Sequence, residues 1–100
     1  HVTGVQTCAL PIYPGALLRE DVLPALKMTQ KDFADWIGVS RLSVSELVNE
    51  KRTVTPDMAM RLGKALGNGP QIWLRMQQAF DLWELSQRNT YDAIRTLQLA

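Results

Sequence analysis

The sequence has almost none of the residues that carry covalent or metal chemistry. Its one cysteine, Cys8, and its one histidine, His1, both stand in the first ten residues. The remaining ninety residues can form no disulfide framework, thiolate nucleophile or cysteine-based metal site. No apolar run approaches the roughly 18 residues that span a bilayer, so the chain is expected to be soluble, with no membrane partner. Charge of one sign is lacking too: 11 Lys and Arg face 10 Asp and Glu, for a net charge of +1. So weak an excess does not announce nucleic acid, and such a partner has to be argued from where the charges sit.

The start of the chain, "HVTGVQTCALPIY", fits nothing after it. Val2 to Ile12 carry no Lys, Arg, Asp or Glu and show neither the alternation of a strand nor the period of a helix. There is no basic n-region, and "CALPI" is too short for the apolar stretch of a signal peptide. Reverse-translated in frame, "VTGVQTCALPI" resembles a common sequencing-library adapter. Residues 1–12 are therefore expected to be a non-native, disordered, adapter-derived segment, set aside as a fusion scar would be. That leaves 88 residues, Tyr13 to Ala100. At this size a single core is only marginally stabilising, and dimerisation helps.

From Tyr13 onward helical periodicity recurs, and the punctuation is that of helix starts and stops. Pro14 suits the first turn of a helix through "GALLREDVL" to about Leu26, which Pro24 should bend or end. Thr29 reads as the N-cap of "QKDFADWIG", with Asp32 at the capping-box offset and Gly38 as the stop. Ser40 caps "RLSVSELVN". Thr55-Pro56-Asp57 supplies a cap, a first-turn proline and an acid at the positive end of the dipole, opening "DMAMRLGKAL", which Gly67 closes. Pro70 opens a long segment, "QIWLRMQQAFDLWELSQRN", and Thr90 is placed to cap a short last helix, "YDAIRTLQL". The fold class is all-α, with five helices, or six if that last one forms. The expected organisation is one domain over residues 13–89 and a short tail or helix over residues 90–100.

The functional signal lies in "TQKDFADWIGVSRLSVSELVNEKR". Two short helices joined by Gly38-Val39-Ser40 need a small residue where they cross, a residue tolerating positive φ in the turn, and apolar residues that lock the second across the first. Ala34, Gly38, Val44 and Leu47 supply these, with Phe33, Ile37 and Val39 completing the buried side. This spacing is the helix-turn-helix signature. The second helix exposes Ser40, Arg41, Leu42, Ser43 and Ser45 early, where a recognition helix enters the major groove. Arginine there can pair with guanine, hydroxyls can bond bases or phosphates, and leucine can touch a thymine methyl. An arginine on an exposed turn is ordinarily only solvated; the motif is what makes Arg41 the expected base reader. Gln30, opening the preceding helix, is placed to bond a phosphate beside free backbone N–H groups. Lys51 and Arg52 are expected phosphate contacts. Glu46, one turn after Leu42, is expected either to tune specificity by repulsion or to point away, and is left out of the site. Between Lys27 and Lys64 seven cations face five anions, whereas Ala65–Ala100 holds three of each. Met58 and Met60 are expected core fillers. Asp32 and Asp35 sit on an exposed face with no partner suggesting acid–base chemistry. No phosphate loop, metal constellation or nucleophile–base set is present, so no enzyme, cofactor or metal is expected.

Taken together, these residues resemble the HigA-type antitoxins, a branch of the Xre/Cro-like family with a lambda-repressor-like helix-turn-helix fold, over Tyr13–Glu84, nearly all of the native segment. The shared motifs are the Pro-Gly and "LRED" near the start, the helix-turn-helix stretch, the "TPDMAMRL" helix opening and "IWLRMQQAFDLW"; the last is the most specific. The resemblance implies a homodimeric repressor that binds a palindromic operator, double-stranded DNA in its own promoter. It also implies an antitoxin that neutralises a HigB-type toxin, an mRNA-cleaving ribonuclease of the RelE-like class, and hence cytoplasmic residence with nucleoid association through DNA. Two departures stand out. The family has Asn-Gly after the recognition helix where this chain has Asn49-Glu50, so Asn49 is expected to take the left-handed position itself. The family has His-Pro-Gly where this chain has Tyr13-Pro14-Gly15, and a native His is expected at position 13.

On the long helix, Trp73, Met76, Phe80 and Trp83 recur at helical spacing as one apolar stripe, flanked by Ile72, Ala79 and Leu82. Trp73 and Phe80 are expected in the core, and Trp83 and Leu85 at the dimer interface. Such a dimer would set two recognition helices about one DNA turn (~34 Å) apart. The alternative function is a stand-alone Xre-family transcriptional repressor with no toxin partner.

Overall fold

The computed structural model describes residues 11–98, so the expectation for residues 1–10 lies outside the described residues. Among these, five helices and one short 3-10 turn account for the regular structure, with no strand. Helix α1 runs over residues 14–26 in three contiguous parts: α-helical Pro14–Leu17, a π-helical turn Leu18–Val22 and α-helical Leu23–Leu26. Then come α2, Gln30–Ile37, α3, Arg41–Val48, α4, Pro56–Leu66, and α5, Pro70–Ser86.

Pro24 neither ends α1 nor breaks it, and the π turn is the reason. A proline ring inside an α-helix meets the carbonyl four residues back. Here the turn before it is widened, with the Leu23 N–H bonding to the Leu18 carbonyl five residues back. The ring therefore has room, and the helix continues to Leu26 before Lys27, at φ 56°, closes it. Three of the expected caps form; the fourth, Thr90, does not. Thr29 Oγ1 accepts from the Asp32 N–H at 3.0 Å, Ser40 Oγ from the Ser43 N–H at 3.0 Å, and Thr55 Oγ1 from the Met58 N–H at 3.2 Å. Each satisfies one backbone donor that the first helical turn leaves free.

The core gathers one stripe from each helix. Leu18, Phe33, Val44, Leu47, Leu62 and Trp73 are almost wholly enclosed, joined by Leu23, Ala34, Ile37, Val48, Val54, Met58 and Ala59. Large side chains buried to this degree stabilise by about 1.5–3 kcal/mol each. The Trp73 indole N–H keeps a partner, donating to Asn68 Oδ1 at 3.0 Å. Met60 departs from expectation: it is 61% exposed, whereas Met58 is buried. Two residues along a helix is about 200° of rotation, so the two methionines face opposite ways.

The long helix stops at Ser86, short of the expected Asn89, and Thr90 falls in a single 3-10 turn, Asn89–Tyr91. The sixth helix does not form. Ile94 and Leu97 are 73% and 82% exposed, so among the described residues nothing covers their side chains. A helix of that length is marginal without a surface to bury its apolar face. No helix among the described residues is long and apolar enough to cross a membrane.

Candidate nucleic-acid interface

Helices α2 and α3 cross at the turn the sequence specifies. Gly38 adopts φ 77°, and its N–H and that of Val39 both bond to the Ala34 carbonyl, at 2.9 and 3.0 Å. A Cβ is strained in that left-handed conformation, so glycine lets the chain reverse between the helices. Ala34, Val44 and Leu47 are buried at the crossing with Phe33 and Ile37, and Val39 is half-buried.

Three side chains that sequence reasoning missed hold the pair in place. Arg61, on α4, donates from Nη1 to the Ile37 carbonyl at 2.7 Å and to the Gly38 carbonyl at 3.3 Å, while its Nε bonds Asp57 at 2.9 Å. Arg19, in the π turn of α1, donates from Nη1 to the Val48 carbonyl at 2.6 Å and reaches Glu50 at 3.4 Å. A guanidinium at that end both satisfies a free carbonyl and complements the negative end of the α3 dipole. The Tyr13 hydroxyl donates to the Arg52 carbonyl at 2.8 Å, fixing the chain beyond α3. Burial raises the Tyr13 phenol above its ordinary value. Nothing local in the sequence marks these contacts, because their partners lie 24, 29 and 39 residues away.

α1 also approaches α3 closely. A Cβ placed on Gly15 would lie 1.8 Å from the Leu47 carbonyl oxygen, so only glycine lets the two backbones meet there. On the far side, Val54, in the strap between α3 and α4, gives its N–H to Gln77 Oε1 of α5 at 3.0 Å. The Gln77 side-chain amide in turn donates to Asp81 at 3.0 Å. Gln77 is the one buried polar side chain among the described residues, another feature that periodicity read as surface would not flag.

The exposed face of α3 carries the expected readers unequally. Arg41, Leu42 and Ser45 line one shallow depression, with Leu42 64% exposed. Among the described residues Arg41 makes no hydrogen bond or ion pair within the chain. The hydroxyls of Ser40 and Ser43 lie 2.9 Å apart, and Ser40 is also spent on the cap, so these two are turned largely to the helix. Ser45 Oγ accepts a long bond from Asn49 at 3.4 Å. Gln30 stands at the first position of α2, half-buried, with its side-chain amide unpaired among the described residues. Lys51 is exposed past the end of α3. Arg52 is exposed too, but its Nε bonds Glu46 at 3.0 Å and its Nη2 joins the same oxygen. Glu46 therefore does not stand free.

One expectation about the turn needs correcting. Asn49 is not left-handed; it has φ −92°, and Glu50 takes the positive φ of 60°. The reversal falls one residue later, at the position where the family pattern has glycine. Asp35 makes an exposed ion pair with Lys31 Nζ at 3.0 Å, one turn away on α2, which raises the lysine above its ordinary value and is no acid–base pairing.

On α5, Trp73 is buried, Phe80 is half-buried against the Tyr13 ring at 4.8 Å, and Trp83 lies 6.0 Å from Phe80. Trp83 and Leu85 are half-buried within the single chain, and Leu82 is 64% exposed beside them.

The profile of the family described as helix-turn-helix matches residues 18–73. Antitoxin HigA-1 of Vibrio cholerae serotype O1 is 37% identical over 88 residues, 88% of this chain and 83% of that protein. Among solved structures, an addiction module antidote protein of a HigA family from Coxiella burnetii superposes with a TM-score of 0.81 at 28% identity, covering 90% of this chain and all of that one. The antitoxin HigA of Pseudomonas aeruginosa, solved with the higBA promoter, gives a TM-score of 0.78 at 28% identity over 88% of this chain and 96% of that one. With its fold, its helix-turn-helix geometry and these relatives in agreement, the chain belongs to the helix-turn-helix family and, within it, to the HigA-type antitoxins, a non-enzymatic group.

Proposed function

We propose that this chain is a DNA-binding antitoxin of a type II toxin-antitoxin module, which represses its own operon and neutralises a RelE/HigB-like ribonuclease. The observation that carries the DNA-binding part is the exposed N-terminal face of α3. Among the described residues Arg41 has no partner there, while Arg19 holds the last carbonyl of the helix and Arg61 holds the end of α2 and the turn that leads into it. A rigid helix presenting an uncommitted guanidinium suits the major groove, where Arg41 reads guanine and Leu42 and Ser45 contact neighbouring bases. Gln30, Lys51 and Arg52 contact phosphates, and Ser40 and Ser43 contribute backbone and hydroxyl donors at the helix start. A weakly charged domain gains affinity by binding as a homodimer across a palindrome, with Trp83 and Leu85 of α5 at the subunit contact. Such a protein works in the bacterial cytoplasm, associated with the nucleoid through DNA.

The test has two arms. Gel-shift titration on the DNA upstream of the gene should show binding that Arg41→Ala weakens by about 1–3 kcal/mol at the base it reads. Unchanged affinity would remove Arg41 from the site. Co-expression with a neighbouring small basic reading frame should give a co-purifying complex and relief of toxicity. DNA binding without any such neighbour would leave a stand-alone repressor.

A further inference from the structure

We propose that Glu46 is a positioning residue, its carboxylate holding the Arg52 guanidinium against the recognition helix so that Arg52 meets the DNA backbone in a preset orientation. This rests on the DNA-binding reading above and adds to it a residue of the sign that DNA ordinarily repels. Glu46 sits one turn beyond Leu42, on the side of α3 away from buried Val44, Leu47 and Val48, so its carboxylate is on the face that would approach DNA. It does not stand there alone. Its Oε1 accepts from Arg52 Nε at 3.0 Å and also from Nη2. Arg52 is fixed a second time through its carbonyl, which accepts from the Tyr13 hydroxyl at 2.8 Å, and the Tyr13 ring packs edge-on against Phe80 of α5. Side chain and main chain of one residue are thus held separately, the one by Glu46 of α3 and the other by Tyr13, itself braced on α5.

A guanidinium has five N–H donors, and Glu46 engages two of them, so donors remain for a phosphate. The pair is also accessible, with the Arg52 and Glu46 side chains 45% and 35% exposed. Arg41 and Lys51 have no such intramolecular partner among the described residues, and would have to lose side-chain freedom on binding. Arg52 has lost much of it already.

The sign of the expected effect separates positioning from repulsion. The probe is a duplex selected by the wild-type chain from a random-sequence pool, titrated over a series of salt concentrations. Arg52→Gln should remove one phosphate contact and make the logarithmic salt dependence shallower by about 0.9. Glu46→Gln should do the same, although it removes an anion, and should weaken binding about two- to fivefold. In the Arg52→Gln background, Glu46→Gln should then change nothing further. Tighter binding by Glu46→Gln, a salt dependence unchanged or steeper, or an effect that persists without Arg52 would each overturn the proposal. Weaker binding with an unchanged salt dependence and a lowered melting temperature would overturn it as well, because that is mere destabilisation. If the wild-type chain selects no site and binds no duplex at low salt, the DNA-binding reading itself fails and takes this inference with it. If Arg41→Ala weakens binding as expected while Glu46→Gln leaves the salt dependence alone, only the role of Glu46 is lost.

Discussion

The Gly15→Ala substitution tests the seam between α1 and the recognition helix. The added methyl carbon would sit 1.8 Å from the Leu47 carbonyl oxygen and 2.7 Å from its carbon, where ordinary contact begins at 3.4 Å, so the seam must open by about 1.6 Å. Both opposing groups are backbone, so no rotamer change can relieve the clash. Opening it separates Leu18 from Leu47, two side chains with no exposed surface. Overpacking of a core costs about 1–3 kcal/mol, and with no side chain able to move the upper end applies. The better helix propensity of alanine offsets up to about 1 kcal/mol, leaving a net loss near 2 kcal/mol. For a domain this size that lowers Tm by roughly 8–16 °C. Far-UV circular dichroism melts of the two proteins measure this directly. A variant melting within about 2 °C of the parent would refute both the close approach and the reasoning built on it.

Three other contacts give testable outcomes. Glu50→Gly should stabilise the chain by about 0.5 kcal/mol, since a left-handed non-glycine residue costs roughly 1–2 kcal/mol and the lost entropy and the exposed Arg19 pair offset only part of it; a lower melting temperature for the variant would sink this. The Tyr13 phenol is raised above 10.0 by burial in the folded state, so its contribution is intact below that value and is lost as pH climbs through the higher folded value. Tyr13→Phe should therefore flatten the alkaline fall of stability seen in parallel denaturant titrations, and identical alkaline limbs would contradict it. Gln77→Leu should cost about 1–3 kcal/mol by leaving the Val54 N–H buried without an acceptor, and a neutral result in urea unfolding would mean that water or a shifted strap replaces the amide.

Much of this architecture was legible because it is local. Thr29, Ser40 and Thr55 each bond a backbone N–H three residues ahead, and that offset is written in the chain. Gly38 and the apolar spacing around it set the α2–α3 crossing for the same reason. Met60 was misread as core, although counting helical phase from Met58 places it on the opposite, exposed side. Arg19, Arg61 and Tyr13 could not be placed, because each acts on a carbonyl brought near only by the tertiary fold. Pro24 misled for a related reason: whether a proline breaks a helix depends on the turn before it, and a π turn has no strong local code. The pairing of Glu46, in α3, with Arg52, six residues on and past the helix end, was equally out of reach of helical spacing.

A π turn is an α-helix carrying one residue more than its neighbours need. In α1 that surplus lies between the end that touches Leu47 and the end that Lys27 closes. Deleting one residue from Leu18–Val22 would restore a regular ladder with the two ends in nearly the same phase, because the widened turn already absorbs the surplus, but it would bring the Pro24 ring back against the carbonyl four residues before it. The surplus residue thus accommodates the proline without turning Gly15 from α3 or Leu23 from the core. Relatives that keep a proline here should therefore keep the extra residue, and a one-residue gap in α1 should go with loss of the proline rather than with a differently braced reading head.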